Sequence, residues 1–356
     1  MDALGVVEVD LAALARNYAT LAQAAAPADC GAVVKADAYG LGIAPVARRL
    51  EVAGCRHFFV ATPAEGVALR RILAEAEIFV LDGLRGSSRE EFIAAGLVPV
   101  LNSRAELGRW GGAGAAAVHI DTGMSRLGLG ADEIDALRLE ADRAPAVDVR
   151  YVMTHLACAD EPGHSLNEAQ LQAFAERRAY WPDARTSIGN SAGLMLGHAF
   201  TGDLARPGIA LYGANPFRRA PSPVEPVVTL RAQILKLRDI DAGATVGYGA
   251  SFVADTKMRV AVVGIGYADG YHRSLSNCGI AEVTGRRVPV VGRVSMDLVC
   301  LDVTELARDG VAEGDWATMI GGSVTLEEVA ALAGTINYEI LTALGPRLER
   351  RYLNDD

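Results

Sequence analysis

The sequence predicts an α/β protein in which a (β/α)₈ barrel of the TIM type is followed by a mainly antiparallel β domain. Eight short β-rich runs alternate with alanine- and arginine-rich helical segments between residues 32 and 206. This alternation is typical of a parallel barrel, although a doubly wound sheet with fewer strands would also produce it. A proline-rich stretch, NPFRRAPSPVEP at 215–226, then ends the pattern and predicts a linker.

The eight runs are short and apolar, as strands buried inside a barrel require. They are Ala32–Ala36, His57–Ala61, Ile78–Asp82, Val98–Leu101, Ala117–Asp121, Arg150–His155, Thr186–Asn190 and Asp203–Arg206. Helical segments such as Pro45–Glu51 and Leu166–Ala179 lie between them. We therefore predict that residues 10–225 form the barrel domain.

Long β-branched runs follow the linker and predict the antiparallel domain. They are Val227–Leu237, Arg259–Ile265, Val288–Val294 and Leu298–Val303, with a turn at Thr284-Gly285-Arg286. One helix, Thr325–Ala333, is expected to interrupt them, with Thr325 and Glu328 as its capping box. The N-terminal run Val6–Val9, which precedes a helix capped by Asp10, is expected to join this domain. The second domain is thus predicted to comprise residues 1–9 and 226–356.

Composition narrows the functional class. The chain has 356 residues, 51% of them hydrophobic, and a formal net charge of −10, which argues against nucleic-acid and anionic-membrane partners. Five cysteines without C-x-x-C spacing indicate a reducing cytoplasm and predict neither a disulfide framework nor a metal site. The N-terminus does not resemble a signal peptide, and no apolar run is long enough to span a membrane. We therefore expect a cytoplasmic protein.

Lys35 stands out because lysine is rare in this chain. Only three of the 34 basic residues are lysine, and Lys35 ends the apolar run of the first predicted barrel strand. It could be an ordinary salt-bridged side chain. Lysine, unlike arginine, can also lose its proton and attack an aldehyde such as that of pyridoxal 5′-phosphate (PLP), and burial would promote that loss.

Other polar residues follow the predicted strands, at the barrel end where active sites lie. These are Asp121 with nearby Arg126, His155, Asn190, Ser191 and Arg206. Such residues also occur at strand ends simply because loops begin there. Ser191 and Pro207-Gly208-Ile209 follow the seventh and eighth strands, where barrels often bind phosphate, and the Tyr39 hydroxyl could also contact a phosphate.

The segment Gly264–Gly270 nearly matches a dinucleotide-binding fingerprint but has Asp269 at the third glycine position. Its surroundings are of β type, whereas the fingerprint requires a βα unit, so we reject that interpretation. Tyr267 within it is a potential acid or base, although a core or surface tyrosine is the commoner case.

Together these segments resemble the alanine racemase family, whose members are fold-type III PLP enzymes with a barrel and a β domain. Eight motifs occur in the family's order over nearly the whole chain. They are AVVKADAYGLG (32–42), DTGMSRLG (121–128), THLACAD (154–160), IGNSAG (188–193), RPGIALYG (206–213), VGYG (246–249), GIGYADGY (264–271) and VGRVSMD (291–297).

The resemblance implies a racemase that interconverts L- and D-alanine with PLP and supplies D-alanine for peptidoglycan. It implies that Lys35 holds PLP and is one catalytic base, while Tyr267 from the other subunit of a homodimer is the opposite base. Two bases on opposite faces can exchange the α-hydrogen without turning the substrate. The remaining implied roles are cofactor binding by Tyr39, His155, Asn190, Ser191, Arg206, Gly208 and Ile209, and substrate binding by Arg126 and the Met296 backbone.

Four positions depart from the family pattern, of which Asp37 and Leu41, standing where many members have Asn and His, are the milder two. His119 stands where some members carry a carbamylated lysine that steadies the arginine, so Arg126 must be held in another way, for example by a bound anion. Pro346 stands where many members have a phosphate-binding tyrosine, and Tyr352 is only a loose substitute. A smaller group there could admit serine.

Three alternatives to a strict alanine racemase stay open. One is a racemase of broader specificity that accepts serine or a larger amino acid. Another is a PLP-carrier protein without turnover, although such proteins generally lack the β domain. The third is a decarboxylase of the same fold type, which would normally use a cysteine as proton donor and a longer chain.

Overall fold

A computed structural model describes residues 4–140, 146–217 and 221–354. The chain divides into two compact units. We call the first, Leu14–Ala38 with Ile43–Glu225, the barrel unit. We call the second the β unit; it takes in the chain up to Ala13, Tyr39–Gly42 and the chain from Pro226 onward. Positions 218–220 of the predicted linker lie outside the described residues, and the predicted domain boundaries stay a prediction.

The barrel unit contains a parallel barrel of eight strand positions. Its strands are β2 (Asp29–Cys30), β3 (Ala32–Val33), β4 (His57–Val60), β5 (Glu77–Val80), β6 (Leu97–Leu101), β7 (Ala115–His119), β8 (Asp148–Met153), β9 (Arg185–Ser187) and β10 (Leu204–Ala205). β3 to β9 pair in sequence order, and β2, separated from β3 only by Gly31, pairs with β10. The Arg206 amide donates to the Gly189 carbonyl over 2.7 Å, which joins the last strand to the seventh and closes the ring.

Helices alternate with these strands, as the sequence predicts. They are α1 (Leu11–Ala25), α2 (Ile43–Val52), α3 (Pro63–Arg70), α4 (Arg89–Ala94), α5 (Arg104–Trp110), α6 (Ala131–Leu139) and α7 (Ser165–Arg178). Local sequence explains several of their starts. Thr62 and Glu65 form a capping box at α3, and Ser88 and Glu91 form another at α4.

The β unit is built on a mostly antiparallel sheet. Its strands are β1 (Gly5–Asp10), β11 (Val228–Ile240), β12 (Thr245–Val246), β13 (Phe252–Val253), β14 (Met258–Val263), β15 (Ile280–Val283), β16 (Arg286–Pro289), β17 (Val299–Asp302), β18 (Trp316–Ile320) and β19 (Glu349–Leu353). The long strand β11 is central, because β1, β14 and β18 all pair with it in antiparallel fashion. β19 is added beside β1 in parallel.

The predicted fold class is confirmed, and so is the prediction that the N-terminal run joins the C-terminal sheet. Helix α8 (Leu326–Ala333) begins at the predicted cap, where the Thr325 hydroxyl accepts a hydrogen bond from the Glu328 amide. The prediction of a single helix in this domain is wrong, because α9 (Asn337–Thr342) follows α8 closely. Only six residues long, α9 offers too few turns for a helical period to be recognised. No helix within the described residues is long and apolar enough to cross a membrane.

Candidate active site

Lys35 lies just beyond the end of β3, where the backbone takes an unusual course. Residues Ala36 to Tyr39 all have positive φ, between 53° and 57°, so the chain makes a left-handed helical turn without any glycine. This conformation costs a residue with a side chain about 1–2 kcal/mol. The predicted strand Ala32–Ala36 is therefore too long. The turn places Lys35 at the carboxyl end of the barrel strands.

Hydrogen bonds in the barrel unit hold the beginning of this turn. The Ala36 amide donates to Glu65 Oε1 over 2.9 Å, and the Asp37 carboxylate accepts the Ile43 amide over 2.7 Å. Glu65 itself is fixed, because its other oxygen accepts the amides of Ala61 and Thr62. The α3 capping box therefore also supports the backbone directly after Lys35.

The Lys35 amine is set up to lose its proton. Burial lowers its pKa, the nearby Arg126 guanidinium lowers it further, and Asp82 and Glu65 oppose the change only in part. A larger share of the amine is therefore neutral near pH 7 than for a lysine in water. Neutral amine is the form that attacks an aldehyde.

Arg206 supplies a buried positive charge at the end of β10, which pairs with β2 beside the strand that leads to Lys35. It is 5% exposed, and its guanidinium donates to Ser187 Oγ and to the Thr154 carbonyl, both over 2.6 Å. Burial lowers its pKa to about 10, so it stays charged at neutral pH. Within the described residues no carboxylate pairs with it, and its Nε makes no hydrogen bond. The cation is therefore available to an acceptor or an anion.

Two histidines beside Arg206 are held neutral. Burial, followed by the positive charges of Arg206 and Arg126, lowers the pKa of His155 well below its usual value. Burial and Arg206 likewise lower the pKa of His119 to about 4. A group of cations and neutral imidazoles thus forms a positive field around the strand ends, suited to a phosphate and a carboxylate.

His119 is fixed by an amide. Its Nδ1 lies 2.9 Å from Asn102 Oδ1, while Asn102 Nδ2 donates to the carbonyls of Leu81 and Val100. Since that amide can only accept from the ring, His119 carries its proton on Nδ1. At the position where the sequence resemblance led us to compare His119 with a carbamylated lysine, the structure thus has an uncharged histidine held by Asn102. Sequence reasoning missed this partner.

The two predicted phosphate loops meet. Ser191 Oγ accepts hydrogen bonds from the amides of Gly208, at 2.9 Å, and Ala210, at 3.3 Å. Its hydroxyl hydrogen is left to donate. Asn190 acts on the loop itself, since its Oδ1 accepts the Gly193 amide and its Nδ2 donates to the Leu156 carbonyl. Ile209 begins a short 3₁₀ turn at this point.

The other predicted site residues, Tyr39, Tyr267 and Met296, belong to the β unit. Tyr39 is 6% exposed, and its ring centroid lies 5.9 Å from that of Tyr338. Tyr267 begins a 3₁₀ turn, is 42% exposed, and donates its amide to the Ser295 carbonyl. The Met296 carbonyl accepts the Ala268 amide, and a Cβ at Gly266 would lie only 2.2 Å from that oxygen.

A second tyrosine of the β unit lies beside the VGRVSMD motif (291–297). Tyr248 is 71% exposed between two glycines of positive φ, Gly247 and Gly249. Arg293 packs here, because a Cβ at Gly249 would lie 2.9 Å from one of its guanidinium nitrogens. Sequence reasoning gave Tyr248 no role. The available signal was the VGYG motif itself, which presents a tyrosine between two conformationally free residues.

The donor set of the barrel unit fits PLP. The cofactor needs a nucleophilic amine, donors for a phosphate dianion and a donor for its ring nitrogen. Lys35, the joined Ser191 and Gly208 loops, and the Nε of Arg206 offer these three groups.

Comparison with known proteins decides the family. Residues 9–216 match the family model of the alanine racemase N-terminal domain, and residues 227–352 match that of its C-terminal domain. The chain belongs to the alanine racemase family. A catabolic alanine racemase of Agrobacterium fabrum is 45% identical over 99% of this chain and 92% of its own length. An alanine racemase of Brucella abortus is 43% identical over 98% of this chain and 93% of its own length.

Solved structures of the alanine racemase family agree with this assignment. The alanine racemase of Bartonella henselae, crystallised with covalently bound pyridoxal phosphate, superposes with a TM-score of 0.93 at 40% identity. That match covers 99% of this chain and all of the Bartonella chain. The Streptomyces coelicolor enzyme gives a TM-score of 0.91 at 34% identity, covering 98% of both chains.

Proposed function

We propose that this chain is an alanine racemase that uses PLP to interconvert L- and D-alanine. The observation that carries the proposal is the low-pKa amine of Lys35 at the carboxyl end of a barrel strand, near Arg126, His155 and Arg206, in a chain of this family. When bound, PLP draws electrons from the α-carbon of an amino acid and so makes the α-hydrogen acidic.

The residues of the barrel unit would hold the cofactor in a defined orientation. Lys35 would hold its aldehyde carbon, and the Nε of Arg206 would donate to its ring nitrogen. Ser191, Gly208, Ile209 and Tyr39 would bind its phosphate, while His155 and Asn190 would shape the surrounding wall. Because arginine rarely gives up its proton, Arg206 would offer the ring nitrogen a hydrogen bond and no full charge.

Proton transfer needs a base on each face of the α-carbon. Lys35 serves one face, since its amine is already poised to be neutral. Arg126 and the Met296 backbone bind the substrate carboxylate and keep the α-carbon in place. The second base is a tyrosine of the β unit.

Two tyrosines are candidates for the second base. Tyr267 is the one predicted from sequence. Tyr248 is favoured by a separate observation, because it is the more exposed of the two and Arg293 packs against the adjacent Gly249.

Single substitutions separate the two candidates. Replacing the second base by phenylalanine should abolish α-hydrogen exchange on one face while PLP stays bound. In deuterated water we expect one of the two variants, Tyr248→Phe or Tyr267→Phe, to lose exchange on one face only. The other variant should show only a moderate change in KM. Symmetric exchange in both variants would reject the two-base scheme.

We also propose that two copies of the chain form a homodimer with shared active sites. Tyr248, Tyr267, Met296 and Leu298 leave apolar surface on the β unit, all 39% exposed or more. Such a patch is typical of a surface that is covered by a partner. The net charge of −10 supports a small-molecule substrate rather than nucleic acid.

Subunit complementation tests the shared site. The Lys35→Ala variant and the inactive tyrosine variant are mixed with each other, denatured together and refolded together. A mixed dimer then contains one site with both bases intact, so activity should recover to about one quarter of the wild-type level. Mixtures that stay inactive would show that each chain builds its own site.

The decisive test of the function is chemical. Purified protein with PLP is reduced with borohydride, and the modified peptide is mapped, with Lys35→Arg as the matched control. We expect the label on Lys35 and rapid formation of D-alanine from L-alanine. Label elsewhere would overturn the assignment, label without turnover would favour the PLP-carrier alternative, and carbon dioxide released from a basic amino acid would indicate a decarboxylase.

Substrate range and cellular role are parts of the same proposal. We propose alanine as the main substrate. Rates with L-serine and L-lysine test the alternative of a racemase with broader specificity.

We propose a cytoplasmic enzyme, consistent with five free cysteines, that supplies D-alanine for peptidoglycan. A deletion strain should then require D-alanine. A strain that grows without it but fails on alanine as carbon source would assign the catabolic role that the Agrobacterium relative's name states.

A further inference from the structure

The last strand of the chain is tied to the segment that follows the left-handed turn. Arg350 Nε donates to the Gly40 carbonyl over 2.9 Å, and the Tyr352 hydroxyl donates to the Leu41 carbonyl over 2.9 Å. Both contacts lie within the β unit and join residues more than 300 positions apart. Two consecutive carbonyls immediately beyond the turn are thus held by two side chains of β19.

Arg350 uses its whole guanidinium on backbone oxygens. Besides Gly40, it donates to the carbonyls of Gly345 at 2.9 Å, Leu348 at 3.1 Å and Leu344 at 2.8 Å. The planar fork of arginine can reach four acceptors at fixed angles, which the ammonium of lysine cannot reproduce. Arg350 therefore fastens Gly40 to the loop that leads into β19.

Packing leaves this segment little room to move. A Cβ at Gly40 would lie 2.7 Å from the Leu341 carbonyl of α9, so the backbone of the segment contacts that helix directly. Tyr39 is buried, with Tyr338 of α9 beside its ring. The hydroxyl of Tyr352, considered above as a substitute phosphate ligand, is occupied by the Leu41 carbonyl.

We propose that Arg350 and Tyr352 are positioning residues that keep the segment after Lys35 in its left-handed form. A turn of four strained residues persists only when its surroundings fix both ends. Glu65 and Asp37 fix the beginning, and Arg350 and Tyr352 fix the end. Through the turn they orient the Lys35 amine and Tyr39. The consequence for the cofactor rests on the proposed function.

The test uses the full-length protein with Arg350→Lys, Arg350→Met and Tyr352→Phe. Arg351→Met is the matched control, because Arg351 is the adjacent residue on β19 and pairs with Glu349. Hydrogen exchange is measured on peptides covering residues 33–43 in cofactor-free protein. The release rate of bound PLP is followed by its visible absorbance.

We expect both measurements to change in the Arg350 and Tyr352 variants only. Exchange within 33–43 and PLP release should each rise about 10-fold in Tyr352→Phe, which loses one hydrogen bond of about 1.4 kcal/mol, and by at least as much in the Arg350 variants, which lose several. Arg350→Lys should behave like Arg350→Met, because the fork and not the charge is required. In the racemase assay kcat should fall more than KM rises.

Two results would overturn the proposal. One is wild-type exchange in 33–43 together with wild-type PLP release. The other is faster exchange spread evenly over the barrel unit, which would mean that the residues only stabilise the fold. A wild-type protein that binds no PLP would instead refute the proposed function, while the exchange measurement would still report on the turn.

Discussion

Burial sets the protonation of the basic side chains at the strand ends. Arg206 stays charged because arginine starts from so high a pKa, whereas the same environment holds His119 and His155 neutral and weakens the charge of Lys35. Removing water disfavours charge on all four groups, and neighbouring arginines add to that effect for the lysine and the two histidines. Residue type therefore decides which group stays cationic.

The first prediction concerns the reactivity of Lys35. In cofactor-free protein an amine-modifying reagent should label Lys35 with a pH midpoint below the ordinary lysine value, because its pKa is lowered. Labelling is quantified by mass spectrometry of the Lys35 peptide. A midpoint at the ordinary value would show that the site does not desolvate the amine.

The second prediction concerns His119 and acid stability. Its folded pKa of about 4 lies below the unfolded value near 6.5, so the folded protein binds fewer protons. Its contribution is therefore complete above about pH 6.5 and is lost as the pH falls toward 4. His119→Gln, which keeps a donor for Asn102, should remove about 3 kcal/mol of the stability loss at pH 4.

Denaturant unfolding of wild type and His119→Gln across this pH range provides the measurement. Groups that do not interact with His119 titrate in both proteins and cancel in the difference, whereas His155 and Asp121 are affected by its charge. Substitution of the exposed His198 by glutamine is the control. Parallel profiles for wild type and His119→Gln would contradict the prediction.

At the scale of elements, turns and caps follow local sequence rules. β15 and β16 are joined by the two residues Thr284 and Gly285, both with positive φ, as a type I′ hairpin turn requires. Gly285 suits this conformation, but Thr284 is β-branched and resists it. The hairpin forms because its strands pair, and it does so at the expense of strain at one residue.

Relieving that strain should stabilise the protein. Thr284→Asn gives the Asn-Gly pair preferred in type I′ turns and should raise the free energy of unfolding by about 0.5–1 kcal/mol. Thr284→Ala is the matched comparison, since it shortens the side chain but keeps a residue that avoids positive φ. Urea unfolding of the two variants provides the measurement. Equal unfolding midpoints for Thr284→Asn and Thr284→Ala would refute this account.

At the scale of the whole molecule, contacts between distant strands close the barrel. At the amino end of its strands, Glu77 of β5 accepts from Tyr151 of β8 at 3.2 Å and lies 3.0 Å from His57 Nδ1 of β4. Arg185 of β9 bonds Tyr151 at 3.3 Å and Asp29 of β2 at 2.6 Å. This network therefore joins five strand positions across the floor of the barrel.

Glu77 is the centre of that network. Burial alone would raise its pKa, but the bonds from His57 and Tyr151 outweigh burial and lower it. Its stabilising effect is therefore present above the unfolded pKa and is lost as the pH falls through the folded one. Glu77→Gln should cost about 1–3 kcal/mol at pH 7 and progressively less in acid. Thermal or urea unfolding measures the loss of stability, and Glu75→Gln, at an exposed glutamate, is the control. A stability difference between wild type and Glu77→Gln that stays constant at all pH values would contradict the prediction.

The sequence by itself determined the order of strands and helices, the barrel with its β domain, and the candidate lysine. These features are local: strand and helix periods, caps at Asp10 and Thr325, and motifs within a few residues. It also placed Ser191 and Gly208 in neighbouring loops, because the strand order of a barrel fixes which loops meet.

The tertiary structure alone decided how those residues are held. The left-handed turn after Lys35, the Asn102 partner of His119, the exposure of Tyr248 beside Arg293, and the ties from Arg350 and Tyr352 to Gly40 and Leu41 could not be read from local patterns. Each of these features depends on residues far apart in the chain. Each changes the free energy of the folded protein, through burial or through a hydrogen bond that forms only after the chain has folded.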